Sequence, residues 1–132
     1  MTDASRSAIL PVAKGIYLCD YVIDYENGKV DLYGLFNAIR SSNHPHVQGR
    51  FCVFAQLING LGRVPFFIDI RDAARHQLIH TTQTNHLSFP DRNTVVQLAV
   101  SIEQCLFPQA GMYLVELYCD NTWVCDTNLL LH

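Results

Sequence analysis

Apolar and polar residues alternate along much of this chain with a period of two, which is typical of half-buried β-strands. Val64, Phe66, Ile68 and Ile70 fall on one face of one such segment. Residues 95–106 alternate in the same way. We therefore expect both segments to be strands with one face in a core.

An Asn27-Gly28 pair separates two more strand-like runs, at residues 16–24 and 29–33. Both residues of such a pair tolerate positive φ, so Asn-Gly between alternating runs predicts a tight hairpin. Residues 34–40 either extend its second strand or turn into a short helix. The other strands are predicted at 50–58, 64–71, 77–84, 112–119 and 123–131.

About eight strands with short turns and no convincing amphipathic helix predict an all-β fold, a two-layer antiparallel β-sandwich in a single domain. We expect residues 1–12 to be a flexible lead-in and 13–132 to be the sandwich. The longest loop is predicted at 85–93. Pro65 is expected at a sheet edge or a strand start, because it cannot donate a ladder hydrogen bond. Tyr113 either ties down a sandwich corner through its hydroxyl or is an ordinary core residue.

The composition is rich in apolar residues and poor in charge. Hydrophobic residues make up 49% of the chain and charged residues 16%, whereas soluble domains average about 25% charged. A compact β-domain explains this, and so does a surface that a partner covers. The net charge of −3 argues against general affinity for nucleic acids or anionic membranes.

Charge is unevenly distributed along the chain. Residues 40–92 contain six arginines and no lysine, whereas residues 93–132 contain four acids and no basic residue other than histidine. Such an asymmetry could align subunits or mark an anion site, although strands from distant parts of a chain interleave in a sandwich.

No run approaches the roughly 20 apolar residues that span a bilayer, and the N-terminus lacks the basic start and apolar core of a secretory signal. The chain has five cysteines in apolar runs, an odd number without tight spacing: Cys19, Cys52, Cys105, Cys119 and Cys125. Reduced, buried thiols in a cytoplasmic protein are the prediction.

The N-terminal half carries three local signatures: Cys19-Asp20, the turn Asn27-Gly28-Lys29, and the run from Leu32 to Asn37, followed by a proline at Pro45. In these it resembles a bacterial domain family of unknown function, most clearly over residues 16–58. The position before Pro45 is His44, where relatives tend to have an aromatic residue. The resemblance implies a β-sandwich in a bacterial cytoplasm and no particular activity.

Histidine is the main candidate for metal chemistry. His44-Pro45-His46 is an H-x-H pair, and neutral imidazoles can chelate a transition metal if further ligands converge. Solvated loop histidines are the more common explanation of such a pattern. The candidate ligands for this alternative are His44, His46, His76, His80 and His86.

Neither a G-x-S-x-G elbow nor a phosphate-binding glycine loop occurs, so no catalytic residue and no cofactor is predicted. The leading hypothesis is a non-enzymatic binding or assembly module that contacts a protein partner or itself, and the rival is a metal-dependent enzyme or metal sensor. Low charge and abundant aromatic residues favour the first, since interface cores share both properties. Its candidate binding residues are the aromatic Tyr33, Tyr118 and Trp123 and the basic Arg50 and Arg75, the latter two because the arginines of the middle segment could line an anion surface.

Overall fold

The computed structural model describes residues 8–132, and the alternating runs of the sequence form its strands. In chain order the strands are β1 Val12–Cys19, β2 Tyr21–Asp24, β3 Val30–Tyr33, β4 Ala38–Ile39, β5 His46–Ile58, β6 Gly62–Asp72, β7 Gln77–Thr81, β8 Asn85–Phe89, β9 Val96–Phe107, β10 Gly111–Cys119 and β11 Thr122–Leu131. No helix in residues 8–132 is long and apolar enough to cross a membrane.

Two sheets pack face to face. Sheet A is antiparallel with the strand order β1-β5-β9. Sheet B has the order β4-β11-β10-β6, and β7 and β8 pair with opposite halves of β6. The two-residue β4 runs parallel to β11, and the β2–β3 hairpin forms a separate ribbon. The predicted all-β sandwich is confirmed.

The core lies between the inner faces of the two sheets. From sheet A, Phe51 and Val53 of β5 are fully buried, and from sheet B so are Ile68 and Ile70 of β6. Burying a side chain of this size contributes roughly 1.5–3 kcal/mol relative to exposure. Because the same residues carry the period-two pattern, the core and the strand assignment have one physical origin.

The described residues form eleven strands rather than about eight. The run predicted at 16–24 divides at Asp20, where the chain leaves sheet A and enters the hairpin. Residues 85–89, predicted as part of a loop, form β8 instead, because Leu87 and Phe89 reach the core and β8 pairs with β6. Residues 34–40 form no helix and contribute the short β4.

The predicted lead-in lies partly outside the described residues, since residues 1–7 are not among them. Ile9 forms an antiparallel bridge with Leu61, and β1 then begins at Val12. All five cysteines are free thiols, and four of them are buried.

Pro65 occupies the fourth position of β6, which has neighbours on both sides. It is therefore not at the start of the strand, but on the β10 side it lies beyond the end of the β6–β10 ladder, as an edge position does. Its carbonyl oxygen accepts a hydrogen bond from the Asp120 N–H at 2.8 Å, just beyond the last β6–β10 pair, Phe66 with Cys119. The backbone nitrogen and the carbonyl of a strand residue point to the same side. The Pro65 nitrogen, which has no hydrogen to donate, therefore faces the end of the β6–β10 ladder, where no regular ladder hydrogen bond is lost.

Candidate functional site

The β2–β3 hairpin is built on a turn of three residues, Glu26, Asn27 and Gly28. The Tyr25 N–H donates to the Lys29 carbonyl at 2.9 Å, and the Gly28 N–H donates to the Tyr25 carbonyl at 3.0 Å. Gly28 adopts a φ of 84°, and Asn27 is not among the residues with positive φ. The predicted hairpin is thus present, but with one left-handed residue rather than two, as in hairpins that close through a glycine bulge.

The hairpin has one face against the sandwich and one face in solvent. Val22 and Leu32 are opposite each other and half-buried. They share the face on which β2 packs against β5. Tyr21 lies opposite Tyr33 on the other face, and both are exposed. The strand alternation therefore turns the aromatic side chains outward.

The solvent-facing side carries an aromatic cluster around one carboxylate. The rings of Tyr21 and Tyr33 stack, with centroids 4.8 Å apart and planes 11° apart. The Tyr25 hydroxyl donates to Asp31 Oδ2 at 2.6 Å, and the Tyr33 hydroxyl donates to the same oxygen at 3.4 Å. We call this surface the tyrosine face, and it consists of Tyr21, Ile23, Tyr25, Asp31 and Tyr33.

The large apolar side chains of the tyrosine face are exposed. Tyr21 is 48% exposed, Tyr25 46% and Tyr33 40%. Leu35, two residues beyond β3, is exposed to 60%. Apolar side chains gathered on one element in this way mark interaction sites more often than scattered single residues do.

The hairpin that carries the tyrosine face is rich in acidic residues. Residues 20–31 contain four exposed carboxylates, those of Asp20, Asp24, Glu26 and Asp31, and one exposed ammonium, that of Lys29. The hydrogen bond to Asp31, together with the charge of that carboxylate, raises the pKa of Tyr25 to about 12. Tyr25 therefore stays a neutral donor throughout the physiological pH range.

A second aromatic surface lies on the outer face of sheet B. Trp123, Tyr118 and Phe67 are adjacent in register across β11, β10 and β6, and the rings of Phe67 and Tyr118 stack at 5.1 Å. Trp123 is 52% exposed and donates from Nε1 to Asp126 Oδ2 at 3.2 Å. Two predicted binding residues, Tyr118 and Trp123, are therefore neighbours here.

The other carboxylates of that surface are already occupied. Glu116 and Asp69 are buried, and Arg71 lies between them, with Nε 3.2 Å from Glu116 and Nη2 3.5 Å from Asp69. The Thr81 hydroxyl donates to Asp69 at 2.6 Å, and the Tyr118 hydroxyl donates to Glu116 at 3.3 Å. The hydrogen bond to Glu116 is the main cause that raises the pKa of Arg71. Because Arg71 pairs with both carboxylates, part of their negative charge is neutralised within the protein.

The remaining predicted binding residues lie apart from both surfaces. Arg50 is on β5, in register with Glu103, and donates to the Ser101 hydroxyl at 3.4 Å. Arg75 belongs to the β6–β7 turn, where Nη1 is 3.2 Å from Asp72 Oδ2. The structure thus brings Tyr118 and Trp123 together and leaves Tyr33, Arg50 and Arg75 in three separate places.

The five candidate metal ligands are spread over different elements. His44 precedes β5, His46 is its first residue, His76 lies in the β6–β7 turn, and His80 and His86 are on β7 and β8. Within residues 8–132, no group of three or more His, Cys, Asp or Glu side chains is arranged to hold a metal ion. The metal hypothesis has no geometric support in that part of the chain.

Sequence reasoning identified Tyr33 but missed the other members of the tyrosine face. The available signal was the period-two series Tyr21, Ile23, Tyr25, which the Asn27-Gly28 turn folds back onto Asp31 and Tyr33. The sequence does not show which side of the hairpin packs on the sandwich, so it does not indicate that this series is exposed.

These features define an all-β sandwich domain with an aromatic, acidic hairpin on its surface. Residues 14–132 match the family described as a family of unknown function, DUF6941, and the chain belongs to that family. None of the curated proteins compared with the chain is significantly similar to it.

Three solved structures are similar to this chain. The alkylpurine DNA glycosylase AlkC from Pseudomonas fluorescens, bound to DNA containing an abasic site analog, has a TM-score of 0.50 at 9% identity, over 89% of this chain and 30% of that one. An immunoglobulin-like protein from Pseudomonas aeruginosa has a TM-score of 0.39 at 9% identity, over 94% and 98% of the two chains. A glycosyl hydrolase family 2 member from Bacteroides cellulosilyticus has a TM-score of 0.39 at 14% identity, over 65% and 14%. The chain spans 30% of the glycosylase, and at 9% identity this likeness concerns the fold alone.

Proposed function

We propose that this domain is a non-enzymatic binding module of the bacterial cytoplasm that holds a protein partner on its tyrosine face. The stacked, exposed pair Tyr21–Tyr33 is the observation that carries the proposal. Tyrosine is enriched among the residues that dominate binding energy at protein interfaces. Such residues need apolar area to bury, and these two rings offer it side by side.

The tyrosines are also held in place before a partner arrives. Stacking fixes the rings of Tyr21 and Tyr33, and Asp31 accepts hydrogen bonds from the hydroxyls of Tyr25 and Tyr33. Immobilising a flexible side chain at an interface costs roughly 0.5–1.5 kcal/mol. Part of that cost has already been met in the free protein, which favours binding.

Charge indicates the chemistry of the partner. Exposed carboxylates outnumber basic groups four to one over residues 20–31 of the hairpin, so the matching surface carries arginine or lysine next to apolar side chains. A guanidinium over a tyrosine ring adds a cation–π contact of about 0.5–1 kcal/mol at an exposed site. The five free thiols support a reducing compartment.

The test is a titration of the isotope-labelled domain, followed by amide chemical shifts, with a short peptide in which arginine and leucine alternate. We expect shifts confined to residues 21–35, with binding that weakens as salt is raised. Tyr21→Ser combined with Tyr33→Ser should weaken binding at least about tenfold. Trp123→Ser is the matched control, because it removes a similarly exposed aromatic residue from the other surface, and it should leave binding unchanged.

A peptide in which glutamate replaces arginine should not bind. Shifts that map to Trp123 and Tyr118 would transfer the binding role to sheet B. Equal binding of the acidic peptide, or no shifts at millimolar peptide, would refute the proposal. Shifts on β2–β3 that appear on concentrating the domain alone would identify a second copy as the occupant.

A further inference from the structure

Sheet A has two edge strands, β1 and β9, which differ in how far other segments cover them. At the β1 edge, the Phe36 N–H donates to the Leu18 carbonyl at 3.0 Å, and the same segment continues into β4, which pairs with Leu130 and Leu131 of β11. One side of the sandwich is thereby closed. At the other edge, in the part of the chain that the structure describes, β9 pairs with β5 and with no other strand.

From Val96 to Glu103, β9 lacks most of the features that usually protect an edge strand. It has 12 residues, whereas most strands have about 5–6. It contains no proline and no lysine, and Glu103 is its one charged residue. Exposed edges are normally shortened, bulged or charged, because their free N–H and C=O groups pair readily with another strand.

The sequence of β9 is self-complementary about Val100. Counting outward from Val100, Ala99 matches Ser101, Leu98 matches Ile102 and Gln97 matches Glu103. Leu98 and Ile102 are buried in the core, and Ala99, Ser101 and Glu103 are exposed on the outer face of sheet A. The two residues of each matched pair are therefore similar in size and polarity and lie on the same face of sheet A.

Antiparallel pairing of two β9 strands about a two-fold axis at Val100 would align these pairs. Small residues would meet small residues, the apolar residues of the two cores would be adjacent, and the Gln97 amide would reach the Glu103 carboxylate of the second copy. A two-fold interface requires this kind of self-complementarity, whereas a peptide from an unrelated partner does not.

The regular part of this edge is of limited length, and β8 lies beside it. A groove of ≈ 490 Å³ runs between β8 and β9, lined by residues 85–87 and 98–101 together with Phe66. Beyond Glu103, Gln104 has a φ of 54°, and it is the one position within the β5–β9 ladder, opposite Gly49, that forms no pair. The regular edge therefore ends where the self-complementary segment ends.

We infer that β9 is a homodimerisation edge through which two copies join their three-stranded sheets into one continuous six-stranded sheet. This inference concerns a different surface from the tyrosine face and does not depend on it. Residues 97–103 of each copy form the new antiparallel ladder, and the second copy is the occupant.

Size exclusion with light scattering over a wide concentration range tests the inference. The wild type should approach twice the 15.0 kDa chain mass. Ala99→Lys with Ser101→Lys puts like charges opposite each other across the axis and should raise the dimer dissociation constant at least about tenfold. Ala99→Lys with Ser101→Glu puts opposite charges in register and should restore dimerisation, and Trp123→Lys is the control that changes charge elsewhere.

A wild type that stays monomeric at all concentrations overturns the inference. The inference is also overturned if the double-lysine variant is still a dimer, because the dimer interface then lies elsewhere. If the variants fail to fold, hydrogen exchange of the wild type tests the inference instead. The amides of residues 97–103 should become more protected as the protein concentration rises. Exchange that does not depend on concentration in a dimeric sample would refute the β9–β9 ladder.

Discussion

The Tyr113 hydroxyl donates a hydrogen bond to the carbonyl oxygen of Gln109, four residues earlier, at 2.5 Å. The ring is fully buried and packs edge-on against Phe107, with centroids 5.0 Å apart. One side chain thus fixes the turn between β9 and β10 from inside the core. Of the two roles that the sequence left open for Tyr113, the corner tie is the one that the structure shows.

Tyr113→Phe keeps the ring and removes this hydrogen bond. A lost hydrogen bond costs about 0.5–1.5 kcal/mol, and the Gln109 carbonyl left without its partner adds to the cost. We expect the free energy of unfolding to fall by about 1–2 kcal/mol, measured as a lower urea midpoint at an unchanged m-value. Tyr17→Phe, at an exposed tyrosine, is the control, and equal midpoints for wild type and Tyr113→Phe would contradict the expectation.

The fold could be predicted because its strands are long and alternate strictly. β6 and β9 each carry four apolar residues at every second position, and no helical period competes with them. β8 was missed for a physical reason. Only Leu87 and Phe89 mark its inward face, and its pairing with β6 depends on tertiary contacts that a five-residue pattern does not encode.

The candidate site was only partly predictable for a similar reason. Exposure of Tyr33 depends on which face the hairpin turns toward β5, and that is decided by Val22 and Leu32 packing onto the sandwich. Trp123 and Tyr118 lie on different strands, and a register shift between Leu117 and Tyr118 makes them neighbours. Sequence alone gives neither the packing partner nor the bulge.

Because of its hydrogen bond to Asp31, Tyr25 should lose its proton at a higher pH than an ordinary tyrosine does. Asp31→Asn removes the carboxylate and should lower the pKa of Tyr25 from about 12 toward the ordinary 10.0. Since the folded pKa is raised, the stabilisation from this bond is complete below pH 10 and is lost as the pH rises through the folded value. Tyrosine ring resonances followed against pH measure the shift, with Asp24→Asn as the charge-matched control. An unchanged pKa in Asp31→Asn would remove Asp31 as its cause.

Asp72 stabilises the β6–β7 turn, in which Arg75 contacts it. Asp72 Oδ1 accepts the backbone N–H groups of Ala74 and Arg75, each at 3.0 Å, and the Arg75 guanidinium contacts Oδ2. The backbone hydrogen bond from Arg75 is the main cause that lowers the pKa of Asp72 below its usual value. Its stabilisation is therefore present above pH 3.8 and lost as the pH falls through the lower folded value.

Asp72→Asn should accordingly be less stable than the wild type at neutral pH, and the two should converge in acid. Thermal unfolding between pH 2 and pH 7 measures this. Arg75→Gln keeps the backbone hydrogen bonds and loses only an exposed ion pair, so it should destabilise less. A difference between wild type and Asp72→Asn that stays constant with pH would mean that the carboxylate charge is not involved.

The cysteines should be unreactive as long as the domain is folded. Burial raises the pKa of Cys105 and of Cys119 to about 12 and that of Cys125 to about 11. The thiolate is the reactive species, so at pH 8 these thiols should react with a disulfide reagent roughly 100-fold or more slowly than an exposed cysteine.

Cys125 is half-buried and should react first, and Cys125→Ser should remove the fastest phase of the labelling reaction. In urea all five should react at one rate. Rapid labelling of Cys105 in the native protein would show that the end of β9 opens, because Cys105 is completely buried between the sheets.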